Sequence, residues 1–175
     1  MAPPPAARRT TEPTAPTTAP SSPLPPPPKS ISRTHRFDRD ELHADQHHRT
    51  VLGLAEQIGA QLRDEQGICL ALTLVVTYAD RTNTSRTRTL AEPTAHTPAL
   101  ADTGRELLAS LGLQRARVRA ISMRAEHLQP AEHAVHQLTL DSRDDKAHDL
   151  EAALDRARAR YGSGIAGTAA AYRTR

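Results

Sequence analysis

The stretch ICLALTLVVTYADRTNTSRTRTL, residues 68–90, decides the fold. Its first half alternates, with Leu70, Leu72, Leu74, Val76 and Tyr78 on one side of an extended chain and Ala71, Thr73, Val75 and Thr77 on the other. Successive side chains of a strand point to opposite faces, so this is a strand with one strongly apolar face and one weakly apolar face. Residues 80–83 (DRTN) form a polar turn, and residues 84–90 return as the second strand of a hairpin. The return strand sets Arg86 and Arg88 among Ser85, Thr87 and Thr89, where a core-facing strand would carry Val or Ile.

Outward from the hairpin, the pattern changes between helical and extended. Before it, Val51, Leu54, Ala55, Ile58 and Leu62 recur at helical spacing, which predicts a helix over about residues 42–65 with Gly67 as its stop. Earlier still, SISRTHRF (30–37) alternates enough for a first strand. After the hairpin, Thr97 followed by Pro98 reads as a side-chain cap and a proline at the first helical position. Leu100, Gly104, Leu107, Leu108 and Leu111 form the inner face of that second helix, and Gly112 ends it. A last strand over about residues 118–124 points Ile121 and Met123 inward.

The predicted fold is therefore α+β: a four-stranded antiparallel sheet in β-α-β-β-α-β order with both helices on one face. The other face is bare, and its candidates are Thr73, Val75, Thr77, Arg86, Arg88, Ser122 and Arg124.

The flanks are of a different kind. Residues 1–28 consist largely of Pro, Thr, Ala and Ser and end in SSPLPPPP, a composition expected to stay disordered, with some polyproline character. Residues 129–175 read as a polar linker, then a short amphipathic helix with Leu150, Ala153, Leu154, Ala157 and Tyr161 on its apolar side, then a fraying Gly/Ala/Thr end.

Composition narrows the function. Of the 175 residues 37% are hydrophobic, enough for one modest core beside appendages. No apolar run is long enough to span a bilayer, and the N-terminus lacks the apolar centre of a signal peptide, so a soluble cytoplasmic monomer is expected. The net charge of +3 is gathered in the middle: residues 80–124 hold eight arginines against four acids, while residues 129–175 hold seven basic and seven acidic side chains. Arginine forks and hydroxyls on a sheet face donate to phosphate oxygens, although a solvated face has the same pattern. Aromatic residues make up 2% of the chain, too few for the stacking platforms of single-strand binders, so a nucleic-acid partner would be a duplex held by its backbone.

Catalytic and metal chemistry find little footing. Cys69 has no cysteine partner and sits in a strand, which suits an inert thiol. His43 and His47 in HADQHH (43–48) stand four apart, close to a zinc spacing, but no third ligand is placed, and no metal or cofactor is assigned. Gln137, Leu138, Thr139 and Leu140 form a short extended segment that reads either as linker or as a peptide docking by its leucines in a partner's groove.

Taken together, KSIS (29–32), RFDRD (36–40), TYADR (77–81), SRTRTL (85–90), EPTAHTPAL (92–100) and LGLQRARVRAISMRAEHL (111–128) resemble the little finger domain of Y-family translesion DNA polymerases, bacterial DNA polymerase IV-like, across residues 29–128. The resemblance implies a DNA-binding module of translesion synthesis and repair whose sheet side lies on duplex or primer-template DNA. Its contacts would include Arg86, Arg88, Thr73, Thr77, Ser122 and Arg124, and on the first strand Ser32, Thr34 and Arg36, where the family usually has a Glu and a Thr at the last two positions. It also implies that Gln137, Leu138 and Leu140 belong to a sliding-clamp-binding peptide, with Asp141 where an aromatic residue is usual. The family's catalytic carboxylates lie in a palm that has no counterpart here, so no enzymatic activity is expected. The alternative is an interaction protein that docks on the clamp or on a polymerase through its C-terminal tail.

Overall fold

The structure is a computed structural model of the chain and describes residues 30–133 and 142–162. The proline-rich leader, the QLTL segment and residues 163–175 lie outside the described residues. Strand β1 (Ile31–Glu41), helix α1 (Ala44–Asp64), strands β2 (Gly67–Tyr78) and β3 (Asn83–Thr94), helix α2 (Thr97–Ser110) and strand β4 (Val118–Pro130) follow in the expected order. A 3-10 turn at Ala131–His133 and a third helix, α3 (Ser142–Tyr161), come after them. The sheet is antiparallel throughout, with spatial order β1-β4-β2-β3.

That order puts the two most apolar strands in the middle and leaves the polar ones as edges, where charge discourages pairing with other chains. Leu72, Leu74 and Val76 of β2 and Ile121, Met123 and Ala125 of β4 are fully buried. They lie beneath Val51, Leu54, Ile58 and Leu62 of α1 and Leu100, Leu107 and Leu108 of α2, which complete one core cluster. The helix residues recur every three or four positions, so one stripe of each helix faces the sheet. Burying each such side chain contributes about 1.5–3 kcal/mol. Gly104 brings α2 close: a methyl group there would stand 2.7 Å from Val51 Cγ1 and 2.8 Å from Met123 Cε.

Three sequence expectations are corrected at the helix ends and in the tail. Gly67 does not stop α1; it already belongs to β2, and the reversal is made by Gln66, which takes the left-handed conformation at φ 50°. Gly112 does follow α2 in that conformation, at φ 57°. Thr97 is not the cap of α2. The cap position is His96, whose side chain makes no capping bond, and the buried backbone N–H of Thr97, at the start of the helix, donates instead to Glu151 Oε1 of α3 at 2.6 Å. A carboxylate from a distant helix thus does what a cap does, satisfying an end N–H and matching the positive end of the dipole.

Helix α3 also docks by a face the sequence reading did not choose. Leu150 and Tyr161, expected on its buried side, are exposed. The docked side carries Glu151, Asp155 and Arg158, spaced at i, i+4 and i+7. Arg63 of α1 reaches Asp155 Oδ2 at 2.6 Å, Glu151 Oε1 at 3.3 Å and the Ala95 carbonyl at 2.8 Å, while Arg158 stands 3.9 Å from Glu56. Burial pushes the Glu151 carboxyl upward, but hydrogen bonds from His96 and Thr97 and the Arg63 charge outweigh it and hold it at about 2. The seam is polar because α3 has few large apolar residues to offer, so its attachment rests on charge-assisted hydrogen bonds.

Candidate nucleic-acid interface

The registers of the four strands fix what the uncovered face displays, because directly opposed residues share a face. One row across the sheet reads Ser32, Arg124, Thr73, Thr87. The next reads Thr34, Ser122, Val75, Ser85, and the one beyond it Arg36, Ala120, Thr77, Asn83. The face is thus a hydroxyl field with two arginines, Arg36 and Arg124, set two rows apart on neighbouring strands. Four residues along a strand span about 14 Å.

The hydroxyls are ordered by one another. Thr34 Oγ1 donates to Ser122 Oγ at 2.9 Å, and Ser122 Oγ donates to the Arg33 carbonyl at 3.2 Å. Thr73 and Thr87 share a bond of 2.7 Å between their Oγ1 atoms across β2 and β3. In such a pair one hydroxyl proton is used and the other remains to donate outward. The main outward donors are the guanidinium groups. Arg124 is 55% exposed and only loosely matched, with Nη1 3.9 Å from Glu126 Oε1.

Arg86 and Arg88 are not on this face, contrary to the sequence reading. Arg88 opposes Leu72 and Arg86 opposes Leu74, both buried against the helices, so the two arginines lie on the helix side of β3. Arg88 Nη1 meets Glu106 Oε2 of α2 at 2.5 Å. The cause is the position of β3 at the sheet edge, where water reaches the margin of the helical layer and even helix-side positions are polar. The other edge repeats this: Arg33 and His35 of β1 oppose Met123 and Ile121. The remaining residues singled out earlier, Ser32, Thr34, Arg36, Thr73, Thr77, Ser122 and Arg124, are brought together on the open face. Ser85 and Thr87 join them. Their signal was present in the sequence, since strand parity forbids Arg86 and Ser85 from sharing a face.

At one end of the face the β2–β3 turn is held by Asp80, whose Oδ1 accepts from Thr82 Oγ1 at 2.7 Å and from the Thr82 N–H at 2.9 Å. These two bonds lower the Asp80 pKa. Arg81, beside it, takes the left-handed conformation at φ 71° and is exposed.

The other candidates fall elsewhere. Cys69 is fully buried, with its thiol pushed up to about 12 by burial. His43 Nδ1 lies 2.6 Å from Glu41 Oε1, and His47, buried, turns Nε2 to the Glu41 carbonyl at 3.2 Å. Both histidines thus engage Glu41, His43 at its carboxylate and His47 at its main-chain carbonyl. Gln137, Leu138 and Leu140 lie outside the described residues. Among the described residues, no helix is long and apolar enough to cross a membrane.

Two helices on one face of an antiparallel sheet, and a hydroxyl and arginine field on the other, define an open-faced α+β domain. Residues 28–140 match the impB/mucB/samB family C-terminal domain, and the chain belongs to that family. Among solved structures, one titled as a complex of the beta-clamp processivity factor and the little finger domain of PolIV is similar over 64% of this chain and 98% of that chain. Its identity is 16% and its TM-score 0.46. An insertion ternary complex of Dbh DNA polymerase is similar over 58% of this chain and 29% of that chain, at 15% identity and a TM-score of 0.44. This chain thus matches less than a third of that polymerase. No match is found among curated protein sequences.

Proposed function

We propose that the open face of the sheet binds duplex DNA by its phosphates, as a non-catalytic module of translesion synthesis and repair. The observation that carries this reading is the pair Arg36 and Arg124, standing about 14 Å apart across a field of short hydroxyls, a span comparable with the major groove's width of about 12 Å. Side chains this short keep the face shallow, so a groove edge can approach while each arginine reaches a phosphate on its own side. Thr34 and Ser122 supply the polar floor between them, and Ser32, Thr73, Thr77, Ser85 and Thr87 extend it around them. Binding of this kind reads the backbone and is largely indifferent to sequence.

The test is fluorescence anisotropy of a labelled primer-template duplex, beside a single strand of equal length, at several salt concentrations. The proposal predicts a preference for the duplex and an affinity that falls steeply with salt. Equal or stronger binding of the single strand, or affinity indifferent to salt, would refute it.

A second reading concerns the tail. Gln137, Leu138 and Leu140 sit at the C-terminal end of the matched family domain, in a segment with two leucine anchors and a glutamine. In this reading they dock on the sliding clamp or on a polymerase partner. Replacing Leu138 and Leu140 by Ala should abolish co-elution with the clamp, and unchanged co-elution would dismiss the reading.

A further inference from the structure

Where α3 meets the start of α2, three side chains with metal-binding chemistry converge. His96 Nδ1 lies 2.7 Å from Glu151 Oε2, and His148 Nδ1 lies 3.8 Å from the same oxygen. The three ligand atoms all fall within 4.8 Å of one another, and among the described residues this is the group of three so placed. His148 and Glu151 are one helical turn apart on α3, so both project to the same side. The two imidazoles lie nearly parallel, with centroids 4.2 Å apart and planes 29° apart, and neither donates to the other.

The two oxygens of Glu151 have separate surroundings. Oε1 is taken by the Thr97 N–H and Arg63, while Oε2 faces only the histidines among the contacts described. The distance to His148 is beyond hydrogen-bond reach, so the triad is incomplete as a hydrogen-bonded cluster.

We propose that His96, His148 and Glu151 form a site for a divalent transition-metal ion such as zinc, which ties α3 to the N-terminal end of α2. Two imidazoles and a carboxylate are a ligand set that suits zinc and its neighbours. Bonds of about 2.0–2.2 Å to a tetrahedral ion set donor atoms about 3.4 Å apart, so His96 Nδ1 and Glu151 Oε2 must part slightly to admit the ion while His148 moves inward. His148, 58% exposed on its side chain, has room to make that movement, and its exposure leaves the fourth position to water. The ion would take the place of the proton between His96 Nδ1 and Glu151 Oε2. Its bond to His148 would add a strong link to a seam otherwise made of hydrogen bonds and ion pairs.

The test uses the full chain, stripped with a chelator and titrated with Zn²⁺ by calorimetry and with Co²⁺ by visible absorption. One ion per chain should bind, with the intense visible bands of four-coordinate cobalt. His148→Ala should weaken binding at least tenfold while leaving the circular dichroism unchanged, as should His96→Ala, whereas His43→Ala should bind as the parent does. Hydrogen exchange gives a second readout: Zn²⁺ should slow exchange across α3 in the parent and not in His148→Ala. Absence of binding, or binding that persists in His148→Ala, would overturn the proposal.

Discussion

Gly104 offers a sharp test of how closely the helical layer is packed. Replacing an exposed helical glycine by alanine stabilises a helix by about 1 kcal/mol, because the unfolded chain loses freedom. At Gly104 the added methyl would stand 2.7 Å from Val51 Cγ1 and 2.8 Å from Met123 Cε, against a comfortable carbon separation of about 3.5 Å or more. The neighbours must therefore yield by about 0.8 Å. Met123 can turn its terminal methyl, but Val51 is β-branched, stiff at χ1 and fully buried. Overpacking of this kind costs about 1–3 kcal/mol, so the net effect of Gly104→Ala is a loss of about 1 kcal/mol. Gly53→Ala on α1, where nothing lies within 4 Å of the added methyl, is the matched control and should gain up to about 1 kcal/mol. Urea unfolding of the two variants should move the midpoint in opposite directions. A Gly104→Ala protein as stable as Gly53→Ala would refute the close approach of α2 to α1 and β4.

Three further outcomes are expected. His47 is buried, and desolvation lowers its pKa below the ordinary 6.5; the unfolded chain therefore binds a proton first, and stability should fall as pH drops below about 6.5, less so in His47→Gln, as urea unfolding at about pH 7.5 and about pH 5.5 will show. The thiol of Cys69 should resist alkylation in the native protein at neutral pH and react only on unfolding, and rapid native labelling would contradict its burial. Gln66→Gly should raise the melting temperature, by relieving a left-handed residue at a cost of about 1–2 kcal/mol less the extra entropy of glycine, and a lower melting temperature would place the strain elsewhere.

Local pattern carried the order of the elements. The alternation from Leu72 to Val76, the helical spacing from Val51 to Leu62 and the breaker at Gly112 each reflect a constraint acting within one element. The errors came where the deciding partner is distant in sequence. Which parity of β3 faces outward depends on its pairing with Leu72 and Leu74, and at an edge strand polarity does not distinguish the two sides. The cap of α2 is supplied by Glu151, which lies 54 residues beyond Thr97, and no local motif announces it. The apolar residues of α3 do not mark its docked side, which is set by Glu151, Asp155 and Arg158, whose partners are on α1 and at the start of α2. On the open face, the hydroxyls and Arg124 were legible from strand parity alone. Setting Arg36 in a row with Thr77 required the β1–β4 register as well.

The most direct test of the proposed interface compares two double variants in duplex binding across a range of salt. Each phosphate contact contributes about 0.9 to the slope of log affinity against log salt, so Arg36→Ala with Arg124→Ala should lower that slope by about 1.8 and weaken binding. Arg86→Ala with Arg88→Ala, on the helix side of β3, should leave the slope unchanged. If the second pair lowers the slope and the first does not, the open face is not the DNA-binding surface.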